Sequence, residues 1–193
     1  MSGPRAATDE ADLAPDGPVP VAVALGSNLG DRSAHLRAGV AALGEVIDVW
    51  AVSSVYASEP VGPAQPEYLN AAVVGTTRLA PRSLLAAGLA AESAAGRRRL
   101  EQGGPRTLDI DLVLYDARIL RAPDLVIPHP SWRERGFVLA PLGEIAPDWI
   151  DPETGLPVRT LAQGAALAAG RPRAVAGSDA IDPRSSVPST RFP

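Results

Sequence analysis

Asp109 and Asp111 stand one residue apart in the stretch GPRTLDIDLVLY, residues 104–115. Leu108, Ile110, Leu112 and Leu114 alternate with them, the period of a strand with one buried face, so both carboxylates fall on the opposite face. Residues i and i+2 of a strand are about 6.6–6.8 Å apart along the backbone, so their oxygens can converge on shared cations. Mg²⁺ is normally held by one or two carboxylates together with substrate phosphates, and two such ions can clamp the attacking and leaving oxygens of a displacement at phosphorus. An isolated D-x-D is more often the wet face of an edge strand. Around this pair, however, Arg97, Arg98, Arg99 and Arg106 gather, with Glu101 the single acid among them, although the chain is acidic overall. Guanidinium groups match phosphate oxygens bidentately, and Gly96, Gly103 and Gly104 give their loop freedom to close over a ligand. Carboxylates, arginines and a glycine-bearing loop together point to a metal–polyphosphate site.

Composition narrows the chemistry. The chain has no cysteine, which removes disulfides, thiolate zinc sites and thiol nucleophiles together. All 18 basic residues are Arg; without Lys there is no Walker A loop, no protein-kinase strand lysine and no Schiff base. His35 and His129 are the only histidines, so a divalent ion must sit on oxygen, which favours Mg²⁺ or Ca²⁺ over zinc. A formal charge of −4 argues against a nucleic-acid binder. No apolar run approaches the ~20 residues of a membrane span, and the first residues contain no secretory h-region. A cytoplasmic location is expected.

Positioning the site requires an ordered core, and the 193 residues can supply one domain with tails. Residues 1–18 are aperiodic and read as a disordered leader, 19–163 as the domain, and 164–193, rich in Ala, Gly, Pro and Ser, as a disordered tail. A first strand is expected at about 19–25, ending in a Gly-Ser-Asn turn. A helix follows at about 31–43, with Asp31 as N-cap, Leu36, Val40 and Leu43 as its apolar stripe and Gly44 as its stop. EVIDVWAVSSVY reads as a second strand, ASEPVGPAQPE as a loop and YLNAAVVGTT as a third strand. Pro81 opens a second helix, about 81–95, with Leu84, Leu85 and Leu89 on one face. An Arg/Gly loop, 96–106, leads into the acidic strand, which RIL is expected to pair with, and residues beyond it mix turns with short helical pieces. The order β-α-β-β-α-β matches an α+β, ferredoxin-like split βαβ sandwich: an antiparallel sheet with helices on one face. That architecture alone assigns no function.

Five blocks occur in order: ALGSNLGDR, SSVYASEPVG, QPEYLNAAV, GPRTLDIDLVLY and IPHPSWRERGFVLAPL. Together they closely resemble the 6-hydroxymethyl-7,8-dihydropterin pyrophosphokinase family of folate biosynthesis, over about residues 20–150. The resemblance implies transfer of the β,γ-pyrophosphoryl group of ATP to the hydroxymethyl oxygen of the pterin, with AMP released. It implies two Mg²⁺ ions on Asp109 and Asp111, with ATP as co-substrate. Arg106 and Arg97 would be catalytic phosphate contacts, with Arg99 beside Arg97 in the loop that closes over ATP. His129 and Arg135 match triphosphate contacts, and Glu92 matches an acidic position close to the nucleotide. Tyr68 and Phe137 match a stacking pair for a flat pterin, Asn70 matches a reader of its amide edge, and Ser58 and Val61 act largely through backbone groups. The implied partners are these two small molecules, with no nucleic acid and no membrane, and a monomer is expected. Trp50, Trp132 and Trp149 are read as packing residues.

The chain departs from the family in two places. Gln102 and Gly103 stand where a basic residue and a Trp usually precede GPR, and Leu89 stands where some members carry a polar nucleotide contact. The first departure motivates an alternative, a catalytically weakened paralogue that binds nucleotide or pterin as a regulatory module. An unrelated ferredoxin-like interaction domain is a third reading.

Overall fold

Strand-forming Val residues in the first third of the chain, and the Pro81-led helix after them, are arranged in a computed structural model that describes residues 9–60, 64–96, 104–169 and 172–175. In chain order the elements are β1 (Val19–Ser27), α1 (Arg32–Gly44), β2 (Asp48–Val52), β3 (Tyr56–Ser58), β4 (Tyr68–Thr77), α2 (Pro81–Ala94), β5 (Asp109–Tyr115), β6 (Leu120–Arg121), β7 (Val126–Ile127), α3 (Gly136–Ile145), α4 (Val158–Ala169) and β8 (Arg173–Ala174). The main sheet runs β5-β1-β4-β3-β8, with β2 also paired to β4, and every pairing is antiparallel. This is the order of a ferredoxin-like split βαβ sandwich.

Alternation along β1 divides the core. Val21, Val23 and Leu25 face α1 and α2, where Leu36, Val40 and Leu43 pack as the helical stripe anticipates. Burying each such side chain contributes about 1.5–3 kcal/mol. Ala22 and Ala24 face the other way, toward Val138, Leu139 and Leu142 of α3 and Leu161, Ala162 and Ala165 of α4. Helices therefore cover both faces of the sheet, where the sequence leads one to expect a single covered face. Among the described residues no helix is long and apolar enough to cross a membrane.

Local chemistry explains where elements differ from expectation. Asp31 caps α1 by accepting from the Ala34 N–H at 2.9 Å. The single strand expected over 45–56 is two, because Ser53 interrupts it. Ser53 N–H donates to Ala72 O, and Ser53 Oγ takes the Ala72 N–H at 2.9 Å, so a side chain replaces one rung of the ladder. Leu120, from the RIL segment, pairs with Ile127 in the β6–β7 hairpin and not with the acidic strand. The inward positions of α2 are Leu84, Gly88 and Glu92, spaced by four, so Leu89 lies outside the stripe and is 37% exposed. Trp132 is buried, whereas Trp50 on β2 is 39% exposed.

The expected leader and tail each contain described structure. Ala11 is fully buried, and Arg82 of α2 binds Asp9 at 2.8 Å and Asp12 at 2.5 Å, holding residues 9–12 against the domain. Helix α4 runs past residue 164 on α3, and β8 adds to β3, where the Val175 N–H donates to Val55 O at 2.8 Å.

Candidate active site

The register of four adjacent strands builds a row of residues across the sheet. Gly26 on β1 pairs with Asn70 on β4 and with Asp109 on β5, and Tyr56 on β3 pairs with Asn70. Two residues along, Ala24 pairs with Asp111 and with Ala72. Both carboxylates thus share the face of Ala22 and Ala24, as alternation requires. Gly26 leaves a hollow between them and β4. A Cβ there would lie 3.5 Å from Asn70 Oδ1, 3.6 Å from Tyr68 Cδ1 and 4.0 Å from Asp109 Cβ.

Cations surround the acidic pair. Arg106 donates to Asp109 Oδ2 at 2.5 Å. Arg135, just before α3, lies 3.5 Å from Asp111, and His129 Nε2 lies 3.8 Å from the same oxygen. The Ser131 N–H approaches His129 Nδ1 at 3.4 Å, which leaves the ring proton on Nε2, facing Asp111. Burial, and then the neighbouring Asp109 charge, push the Asp111 pKa above the ordinary carboxylate range, against the pull of His129, Arg135 and Arg106. Burial, reinforced by the Arg135 charge, lowers the His129 pKa despite Asp111 and Asp109. Burial also works against the Arg106 charge, yet Asp109 outweighs it and raises the Arg106 pKa. Two carboxylates this close, one reluctant to ionise, form a site that a divalent cation would complete.

On the β4 side, Asn70 is buried and Nδ2 donates to Ser58 Oγ at 2.9 Å and Tyr56 O at 3.2 Å. Both amide hydrogens are used, so the group turned toward the Gly26 hollow is the acceptor Oδ1, not the donor–acceptor pair expected from the residue type. Tyr68 borders the same hollow. Phe137 occupies the first turn of α3, with the Arg135 guanidinium 5.8 Å from its ring centre.

Glu92 sits elsewhere. It is 2% exposed, and Oε1 accepts from the Ile110 N–H at 2.8 Å, on the α2 side of the strand that carries Asp109 and Asp111. Its observed partner is the backbone between the two aspartates rather than an open nucleotide surface. Arg97, Arg99 and Val61 lie outside the described residues, as do Gln102 and Gly103. The structure thus joins Asp109, Asp111, Arg106, His129 and Arg135 through direct contacts, and joins Ser58, Tyr68 and Asn70 to them across Gly26. Gly26 itself, Asn28 and Gln65 are site neighbours that sequence reasoning left without roles. The GSN turn at the end of the first strand was the available signal.

Comparison with known proteins places this geometry. Residues 22–147 match the family model described as 7,8-dihydro-6-hydroxymethylpterin-pyrophosphokinase. A 2-amino-4-hydroxy-6-hydroxymethyldihydropteridine pyrophosphokinase from Synechocystis sp. is 48% identical over 135 residues, covering 69% of this chain and 69% of the relative. The enzyme of the same name from Bacillus subtilis is 44% identical over 126 residues, 64% of this chain and 75% of its own. Among solved structures, wild-type HPPK-DHPS of Plasmodium falciparum with pterin and p-hydroxybenzoate aligns with a TM-score of 0.61 at 12% identity, a likeness of fold. The alignment covers 79% of this chain and 44% of that one, so this chain spans less than half of the fusion protein. The matched residues include both aspartates, the arginine before them and the Gly26 hollow, and the chain belongs to the 7,8-dihydro-6-hydroxymethylpterin-pyrophosphokinase family.

Proposed function

We propose that the chain transfers the β,γ-pyrophosphoryl group of ATP to the hydroxymethyl oxygen of 6-hydroxymethyl-7,8-dihydropterin, releasing AMP, with two Mg²⁺ ions held by Asp109 and Asp111. One observation carries the reading: the acidic pair, ringed by Arg106, Arg135 and His129, shares a sheet face with the Gly26–Asn70–Tyr68 hollow. An anionic half-site and a flat-ligand half-site therefore meet on neighbouring strands.

The donor set suits a hard cation. It offers carboxylate oxygens and no thiolate, and among the described residues no group of three or more His, Cys, Asp or Glu gathers to form a closed cage. Substrate phosphates and water are assigned the remaining positions. Mg²⁺ bound there would neutralise charge on the transferring oxygens and lower the pKa of a coordinated substrate hydroxyl.

The protein's own groups position and neutralise. Arg106 braces Asp109 while presenting its other guanidinium hydrogens to phosphate. His129 offers Nε2–H, and Arg135 offers a second fork from the start of α3. Arg97 and Arg99, by resemblance, complete the phosphate contacts as their loop closes over ATP. Asn70 Oδ1 accepts from a pterin N–H, held in place by Ser58, with Tyr68 and Phe137 supplying aromatic faces and Val61 a backbone contact. No side chain is needed as general base, since phosphoryl transfer relies mainly on positioning and charge. The working unit is a monomer in this reading, and we place the reaction in the cytoplasm.

The test supplies ATP, Mg²⁺ and the reduced pterin and resolves the nucleotides. AMP formed in equal amount to pterin diphosphate is expected, and Asp109→Ala and Asp111→Ala should each abolish most turnover. ADP as product, or a near-normal rate in either variant, would refute the assignment.

A further inference from the structure

Asn28 follows β1 directly and is 2% exposed. Its side-chain carbonyl accepts from the Arg106 N–H at 2.7 Å, and its own backbone N–H donates to Arg106 O at 3.0 Å. Its Nδ2 donates in the opposite direction, to Gln65 Oε1 at 3.0 Å and Pro66 O at 3.1 Å. Both amide hydrogens and the carbonyl are therefore engaged. Next to it, Ser27 Oγ donates to Thr107 O at 2.6 Å. The two segments so joined have different duties in the reading above. Residues 65–66 lead into Tyr68 and Asn70, on the pterin side, and Arg106 leads into Asp109, on the phosphate side. They are 37 and 78 residues from Asn28 in sequence.

We propose that Asn28 is a positioning residue that fixes the separation of the two substrate half-sites, its single amide tying the segment before Tyr68 to the backbone of Arg106. The inference rests on the pyrophosphokinase reading. A transfer between two bound substrates depends on their mutual placement, and a misplacement of about 1 Å can cost about 100-fold in rate with little change in how tightly each substrate is held. A side chain that touches neither substrate and holds both walls is suited to control kcat rather than affinity.

The experiment compares wild type, Asn28→Ala, Gln65→Leu and the double variant. It measures kcat and KM for the pterin, and the dissociation constant of a non-hydrolysable ATP analogue with Mg²⁺. Wild-type AMP production is the reference; if wild type makes none, the pyrophosphokinase reading fails and this inference is withdrawn with it. With wild type active, Asn28→Ala should lower kcat by roughly 100-fold while the analogue's dissociation constant and the pterin KM stay within about threefold. The double variant should lose less kcat than the product of the two single losses, because Asn28→Ala has already broken the Asn28–Gln65 bond; Gln65 Oε1 also accepts from Tyr68 OH at 3.4 Å, and that part of its loss is read in the pterin KM. A kcat within threefold of wild type, a loss confined to the affinities, or additive losses in the double variant would overturn the proposal. Should Asn28→Ala fail to fold, Asn28→Asp takes its place. It keeps the acceptor for Arg106 N–H and loses both donors, so a lowered kcat with analogue binding intact supports the clasp and an unchanged kcat refutes it.

Discussion

Replacing Asp111 with Asn should stabilise the metal-free fold and abolish its response to Mg²⁺. Two strand residues at i and i+2 lie about 6.7 Å apart, and unit charges at that separation repel by roughly 1–2.5 kcal/mol as the effective dielectric constant runs from about 40 to 20. Asp111 bears this repulsion on top of its burial, as its raised pKa records. The amide removes the repulsion and keeps the shape. It forfeits the contacts with His129 Nε2 at 3.8 Å and with Arg135 at 3.5 Å, the latter between side chains each about a third exposed. Such a pair contributes about 0–1 kcal/mol. The balance is about 1 kcal/mol in favour of the variant, which in a domain of this size raises Tm by about 2–4 °C. Asp109→Asn is the control of opposite sign. Asp109→Asn relieves the same repulsion, but Asp109 accepts from Arg106 at 2.5 Å and its neutralisation leaves a half-buried guanidinium without that anion; this loss is the larger, so Tm should fall. Thermal melts at pH 7 in EDTA, repeated with Mg²⁺ and a non-hydrolysable ATP analogue, read both effects. Wild type should gain stability from the metal–nucleotide, and Asp111→Asn should not. An Asp111→Asn protein that melts below wild type in EDTA, or that gains as much from the metal–nucleotide, refutes the charge argument.

Two further outcomes follow from single side chains. Gly26→Ala adds a Cβ at ordinary contact distances of 3.5–4.0 Å from Asn70, Tyr68 and Asp109. Tm should therefore hold while the pterin KM rises about tenfold, equivalent to about 1.4 kcal/mol of lost binding; an unchanged KM would move the pterin elsewhere. Asp151 is fully buried and takes two hydrogen bonds from Arg133 at 2.6 Å each and a third from Thr154 Oγ1 at 2.5 Å. Burial alone would raise its pKa, but Arg133 and Thr154 hold it below the ordinary value. Its contribution is therefore complete at neutral pH and fades as acid protonates the native carboxylate, below about pH 3.9. Asp151→Asn should cost about 3–5 kcal/mol by urea titration at pH 7, with the gap narrowing below pH 4; a gap that widens in acid would reverse the sign of the argument.

The strands and helices that carry strong periodicity were legible. β1, α1, β4, α2 and β5 follow from alternation or a helical stripe, and the shared face of Asp109 and Asp111 follows from the period of two. What could not be read depended on partners distant in sequence. Ser53 breaks a strand pattern only because its hydroxyl meets Ala72, and RIL has a strand-like composition without showing which strand it joins. Helix α4 was hidden by the Ala/Gly-rich composition of its second half, although VRTLAQGAALAA has an apolar side, with Leu161, Ala162 and Ala165 packed on the cluster that α3 contributes to. Glu92 illustrates the same limit within the site. Its type and position in α2 suggest an exposed acid, while its burial is set by the Ile110 N–H of a neighbouring strand. Asn28 carried no periodic signal at all.

The two faces of the sheet divide stability from chemistry. Toward α1 and α2 the strands present Val21, Val23, Leu25, Val73, Ile110 and Leu112, bulky groups that interdigitate. Toward α3 and α4 they present Ala22, Ala24 and Ala72 next to the site, with Val74, Val113 and Leu114 beyond them; Leu114 departs from the face of Leu108, Ile110 and Leu112 because the β1–β5 register shifts between Ala22 and Val23. Gly26, Asn70 and Asp109 continue that same face beyond the packed cluster. A larger residue at Gly26 would fill the hollow, and an apolar residue at Asp109 or Asp111 would remove the repulsion; either would make a better core and a closed site. The apolar mass gathered on the opposite face is what lets this end of the sheet keep two like charges and an open floor. Core substitutions under α1 should consequently act on folding, and substitutions along the Gly26 row on turnover, with little crossover between them.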